Sequence, residues 1–340
     1  MHSKKIKNIL QTTFAALAML VFCQASYGQS WAALHKPARD LVTQEKLEHE
    51  VSFLSDTLCQ GRRTGTGGNT EAGAWIARRF VDMGLIPFDG TWSKTVRSGE
   101  GFPCHNILGF LPGTTTKAHP GRYVIVGSHY DHLGTLDGRM FPGADSNASG
   151  VVAMLNVAEM LIMTNTIGIS YDCNLIFVAF DGKENDMAGS YGLWDMICKG
   201  ELKDPVTGTK ITKDKIALMV NIDQIGSSLA PLRKGREDYI IMLGTESLKN
   251  FDRNMLETCN TTYGLNMQIG LDYYGSDGFT KVFYRISDQR VFVDNRIPAV
   301  MFTSGITMNN NKTWDTPSTL NFNAMQKRIY LIYHWIDKLL

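Results

Sequence analysis

Six short apolar runs, rich in β-branched residues, punctuate the chain: HNILGFL (His105 to Leu111), RYVIVGS (Arg122 to Ser128), NLIFVAF (Asn174 to Phe180), IALMVNI (Ile216 to Ile222), YIIML (Tyr239 to Leu243) and PAVMFT (Pro298 to Thr303). Strands that read as continuous apolar runs are covered on both faces, which a sheet sandwiched between helices achieves. Helical stretches lie between them, in TEAGAWIARRFVDMG, NASGVVAMLNVAEMLIM, ESLKNFDRNMLETC and NAMQKRIYLIYHWIDKLL. In the last, Ile329, Ile332, Tyr333, Ile336 and Leu340 recur at helical spacing as one apolar stripe, with His334 off it. The expected fold class is α/β, three layers of helix, sheet and helix around a mostly parallel mixed central sheet. No internal repeat, low-complexity block or Pro-rich linker follows residue 30, so residues 29–340 read as a single domain, packed from about Leu41 onward.

The first 28 residues read differently. Lys4, Lys5 and Lys7 precede an apolar run from Phe14 to Cys23, and small residues Ser26 and Gly28 follow at cleavage-compatible spacing. This is the pattern of a secretory signal peptide, with the mature chain periplasmic or secreted. Lipid anchoring through Cys23 is the weaker alternative, because the bulky Phe22 stands where a small residue is needed. The run is too short to span a bilayer, and no other segment reads as long enough. A net charge of +1 removes the electrostatic argument for nucleic acid, and the basic LRKGRE (Leu232 to Glu237) reads as a solvated loop. Beyond the signal, Cys59, Cys104, Cys173, Cys198 and Cys259 form no CxxC pair, so neither a thiolate zinc knuckle nor a redox pair is suggested.

Ligands in open α/β sheets bind at the carboxyl ends of the strands. There the sequence places HYDH after RYVIVGS, DGKEND after NLIFVAF, DQIG after IALMVNI, and a loop reaching KTWDTPST after PAVMFTSG. Gathering several carboxylates at one edge is costly unless a cation compensates them. Zinc takes N and O ligands of this kind.

The ordered set GSHYDHLG, GADSNASG, FVAFDGKENDMAGS, VNIDQIG and SDQRVFVDNRIPAVMFTSG…TWDTPST resembles the zinc-dependent aminopeptidases of the leucyl-aminopeptidase-like exopeptidase family, which also includes the glutaminyl cyclases. LSDTLCQGRRTGTGGNTEAGAWIARRFVDMGLIP resembles that family's opening segment. The resemblance implies a two-zinc site with a bridging aspartate, a glutamate as general base, and His, Glu, Asp and a second His completing the coordination. On this chain His129 matches the first histidine, Glu184 the ligand glutamate and Asp223 the ligand aspartate. The bridging position is Ser146, the general-base position Lys183, and the final histidine's counterpart Asp315.

These departures strike the chemistry. A neutral hydroxyl does not hold two divalent cations together, since even two unit charges ~4 Å apart repel by about 4 kcal/mol at an effective dielectric of ~20. A protonated ammonium has no lone pair with which to take a proton from water. One zinc ion or none is therefore expected rather than two. Asp145, one residue from the bridge, is an alternative ligand. Alternatively, His129, Glu184, Asp223 and Asp315 together make a hard set that also suits calcium, magnesium or manganese. Asp131 would then orient His129. Lys183 is expected to lodge among Glu184, Asp223 and Asp315 in place of a metal charge. His132 and His334 read as structural. Two functions remain open: an exported metallo-exopeptidase releasing N-terminal residues, and a catalytically inactive homologue binding a peptide or small ligand. A glutaminyl cyclase fits less well, for of its Asp, Glu, His set only the glutamate matches.

Overall fold

The structure is a computed structural model; it describes residues 31–97, 101, 103–115, 121–248 and 253–340. The expected signal peptide, with Cys23, lies outside the described residues. The strands are β1 (Ser93–Arg97), β2 (Pro103–Leu111), β3 (Tyr123–His129), β4 (Gly134–Leu136), β5 (Arg139–Phe141), β6 (Asn174–Phe180), β7 (Ile216–Ile222), β8 (Tyr239–Leu243), β9 (Gln268–Gly270) and β10 (Ala299–Thr303). The helices are α1 (Lys36–Asp40), α2 (Gln44–Ser55), α3 (Gly67–Asp82), α4 (Gly150–Thr166), α5 (Ala188–Lys199), α6 (Arg253–Thr262), α7 (Asp277–Tyr284), α8 (Arg290–Asp294) and α9 (Phe322–Leu339).

Eight strands form one sheet in the order β1-β2-β6-β3-β7-β10-β8-β9, and β4 and β5 make a separate hairpin. The middle four, β6, β3, β7 and β10, run parallel, while β1, β2 and β8 join antiparallel to their inner neighbours. All six apolar runs are strands of this sheet. Side chains alternate across it. Val124, Val126, Leu175, Phe177, Leu218 and Val220 pack with residues of α2, α3, α4 and α9, whereas Tyr123, Ile125, Ile176, Val178 and Met219 pack with Leu193 and Ile197 of α5 and Phe292 of α8. The period-2 alternation of a strand thus yields the three layers.

Local signals set the helix starts. Thr43, Thr66 and Asn321 cap α2, α3 and α9 by accepting the backbone N–H of Lys46, Asn69 and Ala324. The helix expected from Asn147 begins at Gly150, because residues 144–149 form an irregular turn in which the Ser146–Asn147 peptide is cis. In ESLKNFDRNMLETC, Thr245–Ser247 is a 3₁₀ turn and α6 starts at Arg253, the residues between 248 and 253 being outside the described set. One membrane expectation needs correction: the segment Ala144–Thr166 is long and apolar enough to cross a bilayer. Its apolarity has another cause, since α4 is wedged between the sheet and α9 and buried nearly all round.

His334, read as a structural residue lying off the apolar stripe, is packed in the interior. Its ring is stacked on Tyr263 at 3.2 Å between centroids. His35, at the start of α1, meets it edge-on and pairs through Nδ1 with the Tyr333 hydroxyl at 2.6 Å. Burial first, then the nearby His35 and Arg39, hold the His334 pKa down at about 2. The folded state therefore keeps this imidazole neutral where the unfolded chain, near 6.5, would protonate it. Its contribution is full above about pH 6.5 and is lost as pH falls. His334→Phe, which keeps an aromatic ring on Tyr263, is expected to gain stability relative to wild type by about 1.4 kcal/mol per pH unit between pH 6 and 4. Urea midpoints across that range test this, and a pH-independent difference would refute it.

Candidate functional site

Register carries the chemistry-bearing residues to one edge: His129 pairs with Phe180 across β3 and β6, and Ile222 with Phe302 across β7 and β10. His129, Asp181 and Asp223 thus emerge side by side. Asn147 bolts this edge together. Its side-chain amide donates to Ser128 Oγ, His129 O and Ile222 O, while its oxygen accepts the backbone N–H of Gln224 and Gly150. Two fully buried arginines brace the flanking loops. Arg62 donates to the carbonyls of Leu54, Tyr130, Pro142 and Gly143, and Arg328 to those of Ile225, Ser227 and Tyr239.

At the centre His129 Nε2 lies 3.5 Å from Asp223 Oδ1, and Nδ1 donates to the Asp131 carbonyl at 3.1 Å. Burial opposes the imidazolium, but the Asp223 carboxylate, with Asp131 beside Nδ1, outweighs it and lifts the His129 pKa to about 10. For Asp223, burial pushes upward, yet His129, Lys183 and the Ser287 hydroxyl hold the carboxyl at about 2. The pair is a buried ion pair. Asp131, expected to orient His129, does more: its carboxylate accepts the backbone N–H of both Lys183 and Glu184 at 3.0 Å, so it shapes the turn carrying them.

The Lys183 ammonium sits 2.9 Å from Glu184 Oε1. Burial disfavours its charge, but Asp223 and Glu184 more than compensate and raise its pKa, so it stays protonated. Of the three carboxylates expected around Lys183, Glu184 alone is in ion-pair contact. Asp315 is placed otherwise than as a metal ligand: its two oxygens accept the backbone N–H of Asp145 and Ser146 at 2.9 and 3.1 Å. Asp145, the alternative ligand, keeps Oδ2 buried without a hydrogen-bond partner among the described residues. Its Oδ1 accepts from Gly226 N and Ser149 Oγ, and burial followed by the neighbouring Asp315 raises its carboxyl to about 7. Ser146 Oγ is buried without a hydrogen-bond partner among the described residues.

The two-metal arrangement does not fit these residues. The bridge is a neutral hydroxyl, one carboxylate ligand position is neutralised by an ammonium, and the last is spent on backbone N–H groups. Among the described residues no group of three or more His, Cys, Asp or Glu side chains is disposed to hold a metal ion. His132 is buried with both ring nitrogens unpartnered and its pKa driven well down by burial, which agrees with a structural role. Among the described residues Cys59, Cys173, Cys198 and Cys259 are free thiols. LRKGRE is an irregular, largely exposed loop.

Asp288 escaped the sequence reading. It is fully buried, neither carboxylate oxygen has a hydrogen-bond partner among the described residues, and burial raises it to about 6 against the pull of His129. It follows Ser287, which donates to Asp223. Because it precedes α8 instead of ending a strand, the strand-end rule does not reach it. The triplet Ser287-Asp288-Gln289, polar and directly before an apolar run, is the signal available in the sequence.

Similar proteins carry the same architecture. Leucine aminopeptidase 1 of Aspergillus niger is 25% identical over 298 residues, covering 84% of this chain and 67% of that relative. LapB from Legionella pneumophila superposes with a TM-score of 0.66 at 19% identity, over 90% of this chain and 74% of that one. BSAP, a zinc aminopeptidase from Bacillus subtilis, superposes at 0.61 with 13% identity, over 87% of this chain and 95% of that one. At such identities the two structures establish the fold alone. The profile of Peptidase family M28 matches residues 106–335, from the middle of β2 to the last turns of α9, and so spans His129, Ser146, Lys183, Glu184, Asp223 and Asp315. The chain belongs to Peptidase family M28.

Proposed function

We propose that this chain is an exported member of the family that binds peptide in the aminopeptidase cleft without ordinary two-metal aminopeptidase activity. Family membership supports a metallo-exopeptidase-like, hydrolase-type protein with zinc as the metal of its relatives. The finer reading rests on one observation above all, the Lys183 ammonium paired with Glu184 where a general base and a metal ligand are needed. A protonated ammonium accepts no proton, and the carboxylate it neutralises is a poor partner for a cation. Calcium, magnesium and manganese meet the same obstacle, because Asp315 is committed to Asp145 and Ser146. The His129–Asp223 ion pair supplies internally part of the charge balance that a metal would otherwise provide. A glutaminyl-cyclase reading meets the same neutral hydroxyl at Ser146.

Protein purified without chelator should carry well below one zinc per chain and should not turn over aminoacyl chromogenic substrates. Ser146→Asp, Lys183→Glu and Asp315→His combined should raise the zinc stoichiometry toward two, and each change alone should do far less, because all three act on one charge cluster. Elemental analysis and a leucyl chromogenic assay decide this; a wild-type protein with two zinc ions and turnover would overturn the reading.

The export part is checked separately. Expressed in full in a bacterial host, the chain should be recovered from the periplasm or medium with a new N-terminus near residue 29. Mass spectrometry finding an intact N-terminus on cytoplasmic protein would refute it.

A further inference from the structure

Beside the Lys183–Glu184 pair lies a cavity of about 160 Å³ whose wall includes Arg63, His132, Leu133, Leu136, Glu184 and Asn185. Its charges do not balance. Glu184, the carboxylate of this wall, is already neutralised by Lys183. Arg63 is exposed and its guanidinium has no hydrogen bond or ion pair among the described residues. Its stem rests over the β4–β5 hairpin at Gly134, where a Cβ would come within 2.5 Å of the Arg63 Cβ and where φ is +79°. Glycine thus leaves room for the arginine at this wall. His132 contributes to that wall only as a buried ring.

We infer that this cavity is an anion pocket taking a carboxylate carried on a short aliphatic arm, contributed by an acidic residue or the free C-terminus of a bound peptide. The inference rests on the peptide-binding reading above and names the ligand's chemistry. A guanidinium with free N–H groups pairs with a carboxylate in a two-pronged geometry that few other groups match. Leu133 and Leu136 offer apolar cover for the arm. The volume suits it, since a cavity of about 150 Å³ accepts a benzene ring, and a glutamate side chain is of similar size.

The test is calorimetric titration of the full-length mature protein with tetrapeptides. One series is C-terminally amidated with a single glutamate at each position in turn, a second replaces glutamate by glutamine, and a third is all-alanine as free acid and as amide. An acidic member should bind about tenfold more tightly than its neutral counterpart. Arg63→Gln should erase that preference, and Arg63→Glu should invert it. A preference for glutamate identifies a side chain as the source, and a preference for the free acid identifies the terminus; either supports the pocket. Equal binding of charged and neutral peptides, or a preference that survives Arg63→Gln, overturns the pocket while leaving peptide binding intact. Failure of every peptide to bind overturns both readings. Far-ultraviolet circular dichroism of each variant establishes that Arg63, an exposed residue, was changed without loss of fold.

Discussion

Carboxylates withdrawn from water at the end of a parallel sheet must be compensated, and the architecture of this edge follows from how that is done. Asp131, Asp145, Asp181, Asp223, Asp288 and Asp315 are all buried. Backbone N–H groups satisfy Asp131, Asp181 and Asp315, and a protonated imidazole balances Asp223. Burial drives Asp145, Asp181, Asp288 and Asp315 toward the neutral form all the same. A buried ion pair is weak support for stability, because desolvation cancels most of the Coulomb gain. Its value here is geometric. His129 and Asp223 fix each other at the strand ends, and Lys183 fixes Glu184 beside them.

Around this cluster the backbone is braced by groups whose charge has been put to structural use. Arg62 and Arg328 are buried cations that donate chiefly to carbonyls rather than to carboxylates, tying the loops after β3 and β7 to the helical layer. Asn147 does the same at shorter range, joining the ends of β3 and β7 to the start of α4. Each satisfies several backbone groups that the irregular loops leave without secondary-structure partners, which keeps the loops ordered although they lack regular hydrogen bonding. A rigid edge of this kind suits recognition of a ligand as well as it suits catalysis. Function has to be argued from the groups present at this edge, not from the fold.

Much of this protein was legible along the chain. Runs such as NLIFVAF and IALMVNI coincide with β6 and β7 residue for residue, because strands buried on both faces write their boundaries as the limits of apolarity. The strand-end rule led to His129, Lys183, Glu184 and Asp223, and an ion pair of Lys183 was expected because acidic side chains gather at that edge. What the sequence by itself determined, then, was the layered fold, the edge that carries the site and the chemical types present there. Side-chain direction belonged to the tertiary structure alone. Asp315 turns to the N–H groups of Asp145 and Ser146, Asp145 turns away toward Gly226, and Asp288 arrives from a segment before α8. The placements of Asp315 and Asp145 depend on contacts between residues 81 to 170 positions apart. No local periodicity encodes them, because a carboxylate has the same composition and spacing whether it meets a cation, a backbone amide or nothing at all.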